Sequence, residues 1–226
     1  LAVERWPLRE PFVIARDVMT DVPVLHVTLT GADGRRGQAE AAGVDYDGET
    51  PESMAAGIRA VAGALGGDSD APALASLLPA GGARNALDCA LWDLRAKREG
   101  LPVWQLAGLA RAPEPVTTAF TIGLTGPDDA ARKAVAASAW ALLKLKVGAD
   151  DPVAVVRAVR AARPDARVIV DANESWSVDA LVAHATALTA LGVEMIEQPL
   201  RRGADAALAG LRLPVPVVAD ESCTDR

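Results

Sequence analysis

Apolar and polar residues alternate through Leu25-His26-Val27-Thr28-Leu29-Thr30, Gly31-Ala32-Asp33-Gly34 has turn chemistry, and Arg36 to Ala42 can return as a partner strand. An antiparallel hairpin is expected near the start of the chain. Pro51 opens a helical stretch to about Leu65, and a Gly-, Asp- and Pro-rich loop follows through Gly82. Ala86, Leu87, Ala90, Leu91 and Leu94 then recur at helical spacing. Gly100-Leu101-Pro102 ends this second helix, and Pro113 with Pro115 marks a linker. The expected first domain is α+β and covers residues 1–112; a second covers 113–226.

From Val116 the pattern becomes periodic. Short apolar runs begin near Thr118, Leu143, Val168, Glu194 and Val215, at intervals of 25, 25, 26 and 21 residues. One helix is expected in each gap. Pro127 and Pro152 suit first helical positions, where a missing N–H costs nothing; Ser177 suits a cap, and Gly192 a stop. Apolar strands alternating with helices imply a parallel sheet covered by helices, and the even step favours a (β/α) barrel over an open sheet. No GxGxxG or Walker loop follows any of these strands. A full eight-unit barrel needs about 250 residues, whereas residues 116–226 hold five strands. The second domain is therefore expected to be the N-terminal part of a barrel, truncated after its fifth strand, with open sheet edges.

Composition narrows the function. The net charge of −7 and the absence of basic clusters argue against nucleic acid and anionic membrane partners. No apolar run reaches the roughly 18 residues of a membrane span, and Leu1-Ala2-Val3-Glu4-Arg5 lacks a signal-peptide layout. A soluble, cytoplasmic protein is expected. Cys89 and Cys223 stand far apart with no CxxC, which gives neither a disulfide framework nor a zinc pattern.

The charged residues of the second domain share one phase. Lys144 and Lys146, Asp171, Glu197 and Asp220 fall at the ends of successive predicted strands, and the steps from Lys146 through the three acids are 25, 26 and 23 residues. In a parallel barrel those ends open on one face, where active sites are built. Three convergent carboxylates repel unless a cation sits among them, and oxygen ligands without His or Cys suit a hard ion such as Mg²⁺. Residues two apart in a strand point the same way, so Lys144 and Lys146 enter the mouth together. Like charge and desolvation lower a lysine pKa, which makes Lys146 the candidate base. Asp220 and Glu221 are adjacent and would point oppositely in a strand; the phase selects Asp220. His26 and His184 have no partner at ligand spacing, and Trp92 and Trp104 read as packing, Trp104 as a seal between the domains.

Leu143-Lys-Leu-Lys-Val-Gly148, Val170-Asp-Ala-Asn-Glu174, Ile196-Glu-Gln-Pro-Leu200 and Ala219-Asp-Glu-Ser222, in this order and spacing, resemble the muconate-lactonizing subgroup of the enolase superfamily. Arg84 to Leu94 resembles the helix that precedes its barrel, and residues 1 to about 112 its capping domain. Thr118 to Gly123, Val170 to Trp176 and Arg5 to Phe12 are most similar to dipeptide epimerases of the Ala-Glu type.

The resemblance implies that Asp171, Glu197 and Asp220 ligate Mg²⁺, that Lys146 is one acid/base, and that Lys144 lowers its pKa and neutralises developing charge. It implies Thr121, Lys144, Arg16 and Asn173 as substrate contacts, under capping loops at Ala15–Thr20 and Gly43–Gly48. The implied reaction is Mg²⁺-dependent epimerisation of a dipeptide. The α-proton of its C-terminal residue is removed and returned through an enediolate that the cation stabilises. The second acid/base, a lysine on the sixth strand, and the eighth-strand aspartates that hold the substrate amino group would lie beyond residue 226. An o-succinylbenzoate synthase, N-acylamino acid racemase or cycloisomerase would share these motifs. A non-catalytic metal-binding scaffold is the alternative of another class if the protein naturally ends here. Family members commonly assemble, so a homo-oligomer is also implied.

Overall fold

The computed structural model describes residues 1–14, 18–44, 47–66 and 71–224. The backbone divides into two compact units, one of Leu1–Arg9 with Thr20–Pro115, the other of Glu10–Met19 with Val116–Arg226.

The first unit is built on an antiparallel sheet in the order β1 (Ala2–Val13), β2 (Val18–Thr30), β3 (Arg36–Ala41). The expected hairpin is present, with Leu25 opposite Ala41 and Thr30 opposite Arg36. Helix α1 (Pro51–Val61) begins with a reciprocal Thr50–Ser53 capping box and Pro51 in its first turn. Helix α3 (Gly82–Glu99) ends on Gly100 in the left-handed region, at φ 67°. Leu25, Val27, Met54, Ile58, Leu87 and Ala90 are the centre of a core shared by sheet and helices. Strand β3 lies very close to α3 at Gly37, where a Cβ would stand 2.6 Å from the Leu94 nitrogen. The Asp93 carboxylate secures that approach by accepting from Gln38 N at 2.8 Å and Lys97 Nζ at 2.6 Å.

Two elements here depart from the expected pattern. Strand β1 was not expected; Pro7 and Pro11 interrupt its alternation and it is mostly exposed, as a proline-bearing edge strand can be. Helix α2 (Ala71–Leu77) replaces part of the expected loop, because Leu74 within it and Leu78 just after it are buried in the core. A four-residue helix, α4 (Val103–Leu106), follows Pro102.

The second unit carries the expected parallel sheet, in sequential order β4 (Ala119–Ile122), β5 (Leu142–Lys146), β6 (Arg167–Asp171), β7 (Val193–Glu197), β8 (Val217–Val218). Helices α5 (Pro127–Ala136), α6 (Pro152–Ala162) and α7 (Val178–Ala190) fill the first three gaps and start where the prolines and Ser177 place them. Leu143, Leu145, Val168, Val170 and Ile196 face a core completed by Ala134, Val156, Val159 and Leu188 of the helices. The architecture is that of a partial (β/α) barrel. The fourth gap departs from the pattern: among the described residues it holds only a 3-10 turn, Asp205–Leu208, between Gly203 and Gly210, both at positive φ.

Among the described residues, no helix is long and apolar enough to cross a membrane. Cys89 and Cys223 are free and exposed.

Candidate active site

The register of the parallel sheet brings the charged residues together. Lys146 lies beside Asp171, Asp171 beside Glu197, and Glu197 beside Val218, so one row crosses the C-terminal end of the sheet. One row inward, Lys144 lies beside Thr121 of β4. Burial alternates along β5 as strand geometry requires: Leu143 and Leu145 are buried in the helix-side core, whereas Lys144 and Lys146 are half-buried.

Glu197 reaches this row through an irregularity. Val168 pairs with Val193, but Val170 pairs with Ile196, so β7 carries one more residue than β6 between the two pairs. A bulge of this kind re-aims the side chains that follow it. Val193 and Ile196 both go to the core, and Glu197 goes to the site. The 26-residue step in the sequence is the trace of this extra residue.

Asp171, Glu197 and Asp220 each offer a carboxylate oxygen, and the three oxygens lie within 4.8 Å of one another. Asp171 is fully buried, Glu197 half-buried and Asp220 exposed. Lys146 Nζ donates to Asp171 Oδ2 at 2.6 Å. Lys144 Nζ spans the same oxygen, at 2.9 Å, and Glu197 Oε1, at 2.7 Å. An all-oxygen set of three acids at this spacing, without nitrogen or sulfur donors, fits a hard divalent cation such as Mg²⁺.

The electrostatics are those of a tightly coupled cluster. Burial pushes the Asp171 carboxyl up, but hydrogen bonds from Lys146 and Lys144 and their charge outweigh it and hold the group below its ordinary value. Glu197 is held above its ordinary value: burial and the charges of Asp171 and Asp220 outweigh the bond from Lys144. Burial pulls the Lys144 ammonium down, yet its bonds to Glu197 and Asp171 prevail and its pKa stands raised. At Lys144 the two carboxylates within 2.9 Å thus outweigh both burial and the like charge of its neighbour.

The remaining expected site residues are placed as follows. Thr121 is half-buried in β4, in register with Lys144. Arg16 lies outside the described residues, as do Ala15, Asp17, Asp45 and Tyr46 of the capping loops. Asn173 is buried just past β6 at φ 42°, a left-handed conformation that Asn tolerates. Its backbone N–H donates to Asp171 Oδ1 at 2.9 Å and its Nδ2 to Glu221 Oε1 at 3.1 Å. Asp220 and Glu221 do not alternate within a strand, since β8 ends at Val218; they sit in the bend beyond it, Asp220 in the acidic cluster and Glu221 buried against Asn173. Trp176 is buried and donates through Nε1 to Gly148 O at 2.8 Å, which joins the segments that follow β5 and β6.

Sequence reasoning passed over Gln198. It follows Glu197 at φ 32°, is 1% exposed, and all its side-chain bonds run to the segments around it. The signal was a long polar side chain between Glu197 and Pro199, directly after an inward-facing strand.

Comparison with known proteins agrees with this architecture. Residues 1–108 match the mandelate racemase/muconate lactonizing enzyme N-terminal domain, and residues 128–226 the enolase C-terminal domain-like family. The L-Ala-D/L-Glu epimerase of Escherichia coli K12 is 43% identical over 225 residues, covering 99% of this chain and 70% of that protein. An enolase family member from Agrobacterium tumefaciens with homology to dipeptide epimerases, solved with sodium and L-Ala-L-Glu, superposes with a TM-score of 0.90 at 39% identity. That match covers 98% of this chain and 67% of the other. The dipeptide epimerase of Methylococcus capsulatus, solved with Mg and L-Arg-D-Lys, gives a TM-score of 0.89 at 31% identity, over 98% and 66% of the two chains. The chain thus spans about two thirds of the length of these relatives. With both domain families matched in order and 43% identity along nearly its whole length, the chain belongs to the mandelate racemase/muconate-lactonizing subgroup of the enolase superfamily.

Proposed function

We propose that the protein is a Mg²⁺-dependent epimerase of dipeptides of the L-Ala-D/L-Glu type, working by α-proton abstraction and return. The observation that carries this reading is the single row of Lys146, Asp171 and Glu197, completed by Asp220 to a three-carboxylate cluster. Asp171, Glu197 and Asp220 would hold the cation, which when bound would supply positive charge beside the substrate carboxylate. Lys146 takes that proton through Nζ. Lys144, bridging Asp171 and Glu197, keeps a second positive charge beside the reacting carboxylate. Thr121, beside Lys144 in register, and Arg16 contact the substrate, as does Asn173 through its amide oxygen, its Nδ2 being committed to Glu221. The reading includes a cytoplasmic setting, in keeping with two free cysteines, and the two-domain division at residues 112 and 113. It also includes a homo-oligomeric assembly.

The test is α-proton exchange in ²H₂O across an L-Ala-L-Xaa library and a matching set of N-acyl amino acids, using the full-length protein with and without Mg²⁺. Exchange that requires Mg²⁺ and is lost in Lys146→Ala is expected. Exchange confined to N-acyl amino acids, or undiminished in Lys146→Ala, overturns the assignment.

A further inference from the structure

Strand β8 is only two residues long, and it ends at Val218. Asp220 lies beyond it, in a bend, and is exposed. The sheet ladder that fixes Asp171 and Glu197 thus does not reach the third acid of the cluster. A side chain supplies what the ladder does not. Gln198 Oε1 accepts from the backbone N–H of Asp220 at 2.9 Å and from that of Ser222 at 3.1 Å. Its Nε2 donates to Leu200 O at 2.8 Å and to Ser222 Oγ at 2.9 Å. Ser222 Oγ in turn donates to Asp205 Oδ2 at 2.7 Å, on the 3-10 turn that follows β7. A primary amide has two acceptor and two donor positions, and all four are used. Gln198 is also held in the left-handed region, at φ 32°, a conformation that persists in a non-glycine residue only when the surroundings impose it.

From this geometry we infer that Gln198 is a positioning residue for the metal site: its amide clamps the Asp220–Ser222 bend to the end of β7 and sets Asp220 at the reach of Asp171 and Glu197. The inference rests on the proposed Mg²⁺ site. Gln198 joins two of the acids directly: Glu197 precedes it in the sequence, and Asp220 carries the N–H that its Oε1 accepts. A change at Gln198 therefore alters the spacing of two carboxylates without removing either.

The test is Mn²⁺ binding to the full-length protein, read from the free Mn²⁺ signal in electron paramagnetic resonance, with urea stability measured on the same samples. Gln198→Met keeps the length and packing of the side chain and removes all four amide bonds, the two acceptor bonds to the Asp220–Ser222 bend among them. It is expected to weaken Mn²⁺ binding by about 10- to 100-fold, the usual cost of losing an outer partner of a metal ligand. Ser222→Ala removes a partner of Nε2 but leaves the Ser222 N–H and the Oε1 clamp; it is expected to bind Mn²⁺ within about threefold of wild type, even where its stability falls. Equal Mn²⁺ affinity in folded Gln198→Met and wild type overturns the inference, as does a loss in Ser222→Ala as large as in Gln198→Met. Should Gln198→Met not fold, amide hydrogen exchange of the wild type decides: protected N–H groups at Asp220 and Ser222 support the clamp, and free exchange at both overturns it. A wild-type protein that takes no divalent cation, or takes one undiminished in Asp171→Asn, instead fails the Mg²⁺ reading and withdraws the consequence drawn from the clamp.

Discussion

Arg163 lies at the end of α6 and caps the end of α5. Its guanidinium donates from Nη1 to Ala134 O at 3.0 Å and Ala137 O at 3.1 Å, and from Nη2 to Trp140 O at 3.1 Å. The last carbonyls of a helix have no partner within it, and a cation there also meets the negative end of the helix dipole. Ala134 and Ala137 are buried, so water cannot replace the arginine at their carbonyls. Arg163→Met keeps the aliphatic bulk and leaves the buried Ala134 carbonyl without this donor, at about 1–3 kcal/mol, whereas Ala137 O keeps the Trp140 N–H at 3.0 Å. With the charge-assisted bonds to Ala137 O and Trp140 O also lost, the expected loss is about 2–3 kcal/mol, or roughly 5–10 °C in Tm for a chain of this size. The bidentate bond to Asp165 contributes little to this, because the Asp165 side chain is 67% exposed. Asp165→Asn is accordingly expected to leave the urea midpoint near that of wild type. Urea denaturation of both variants of the full-length protein, followed by circular dichroism, separates the two effects. A loss in Arg163→Met below about 1 kcal/mol, or an equal loss in Asp165→Asn, would refute the view that capping of α5 rather than the ion pair is what Arg163 contributes.

Gly37→Ala places a Cβ inside the contact distance of the Ala90 carbonyl oxygen and 2.5 Å from Leu94 Cβ. Two of the nearest atoms belong to the α3 backbone and cannot rotate away, so a loss of at least about 3 kcal/mol is expected, against 1–3 kcal/mol for ordinary overpacking; a urea midpoint near wild type would contradict this. Asp129 in the first turn of α5 is held down to about 2 by hydrogen bonds from Arg132 and Thr125 and by Lys133. Its ordinary value is 3.8, so the ionised form is favoured by folding. The stabilisation is present above pH 4 or so and is lost as pH falls through about 2. An NMR titration of its carboxyl carbon with a midpoint near the ordinary value would show that these bonds do not persist in solution.

The parallel sheet was legible because its strands are short, apolar and evenly spaced, and because Pro127, Pro152 and Ser177 punctuate the helices. The row of Lys146, Asp171 and Glu197 was legible for the same reason: period and register coincide along β5 and β6. What was not legible depends on contacts distant in sequence. Strand β1 is an edge, so burial does not impose a regular alternation on it. Helix α2 is held by Leu74 and Leu78 against a core that residues 71–78 alone do not reveal. The neighbouring charges of Lys144 in the sequence are cations, whereas its nearest charges in space are Asp171 and Glu197, which only the register of the sheet reveals. Gln198 is the sharpest case: its role is visible only once residues 220 and 222 are seen to fold back onto it.

The charge balance of the cluster carries the argument one step further, to the substrate. Two carboxylates 4.8 Å apart repel by about 3–4 kcal/mol at an effective dielectric constant of 20. Lys144 and Lys146, at 2.6 to 2.9 Å, offset that repulsion and allow the acids to remain together. In the resting site, before Lys146 gives up a proton to act as the base, three carboxylates and two ammonium groups carry a formal charge of −1. Adding a divalent cation makes the sum +1, and a net positive charge favours an anionic group at the mouth of the site. On the proposed function that group is the carboxylate next to the reacting carbon. A dipeptide amide has the same side chains without this charge, and it is expected to bind at least about tenfold more weakly than the free acid, since losing one charge-assisted bond costs about 1.5–3 kcal/mol. Competition of acid and amide against α-proton exchange in the presence of Mg²⁺ measures this. Equal inhibition by the two would mean that the charge of the five groups is answered elsewhere in the protein, and that the row of Lys146, Asp171 and Glu197 does not face the substrate carboxylate.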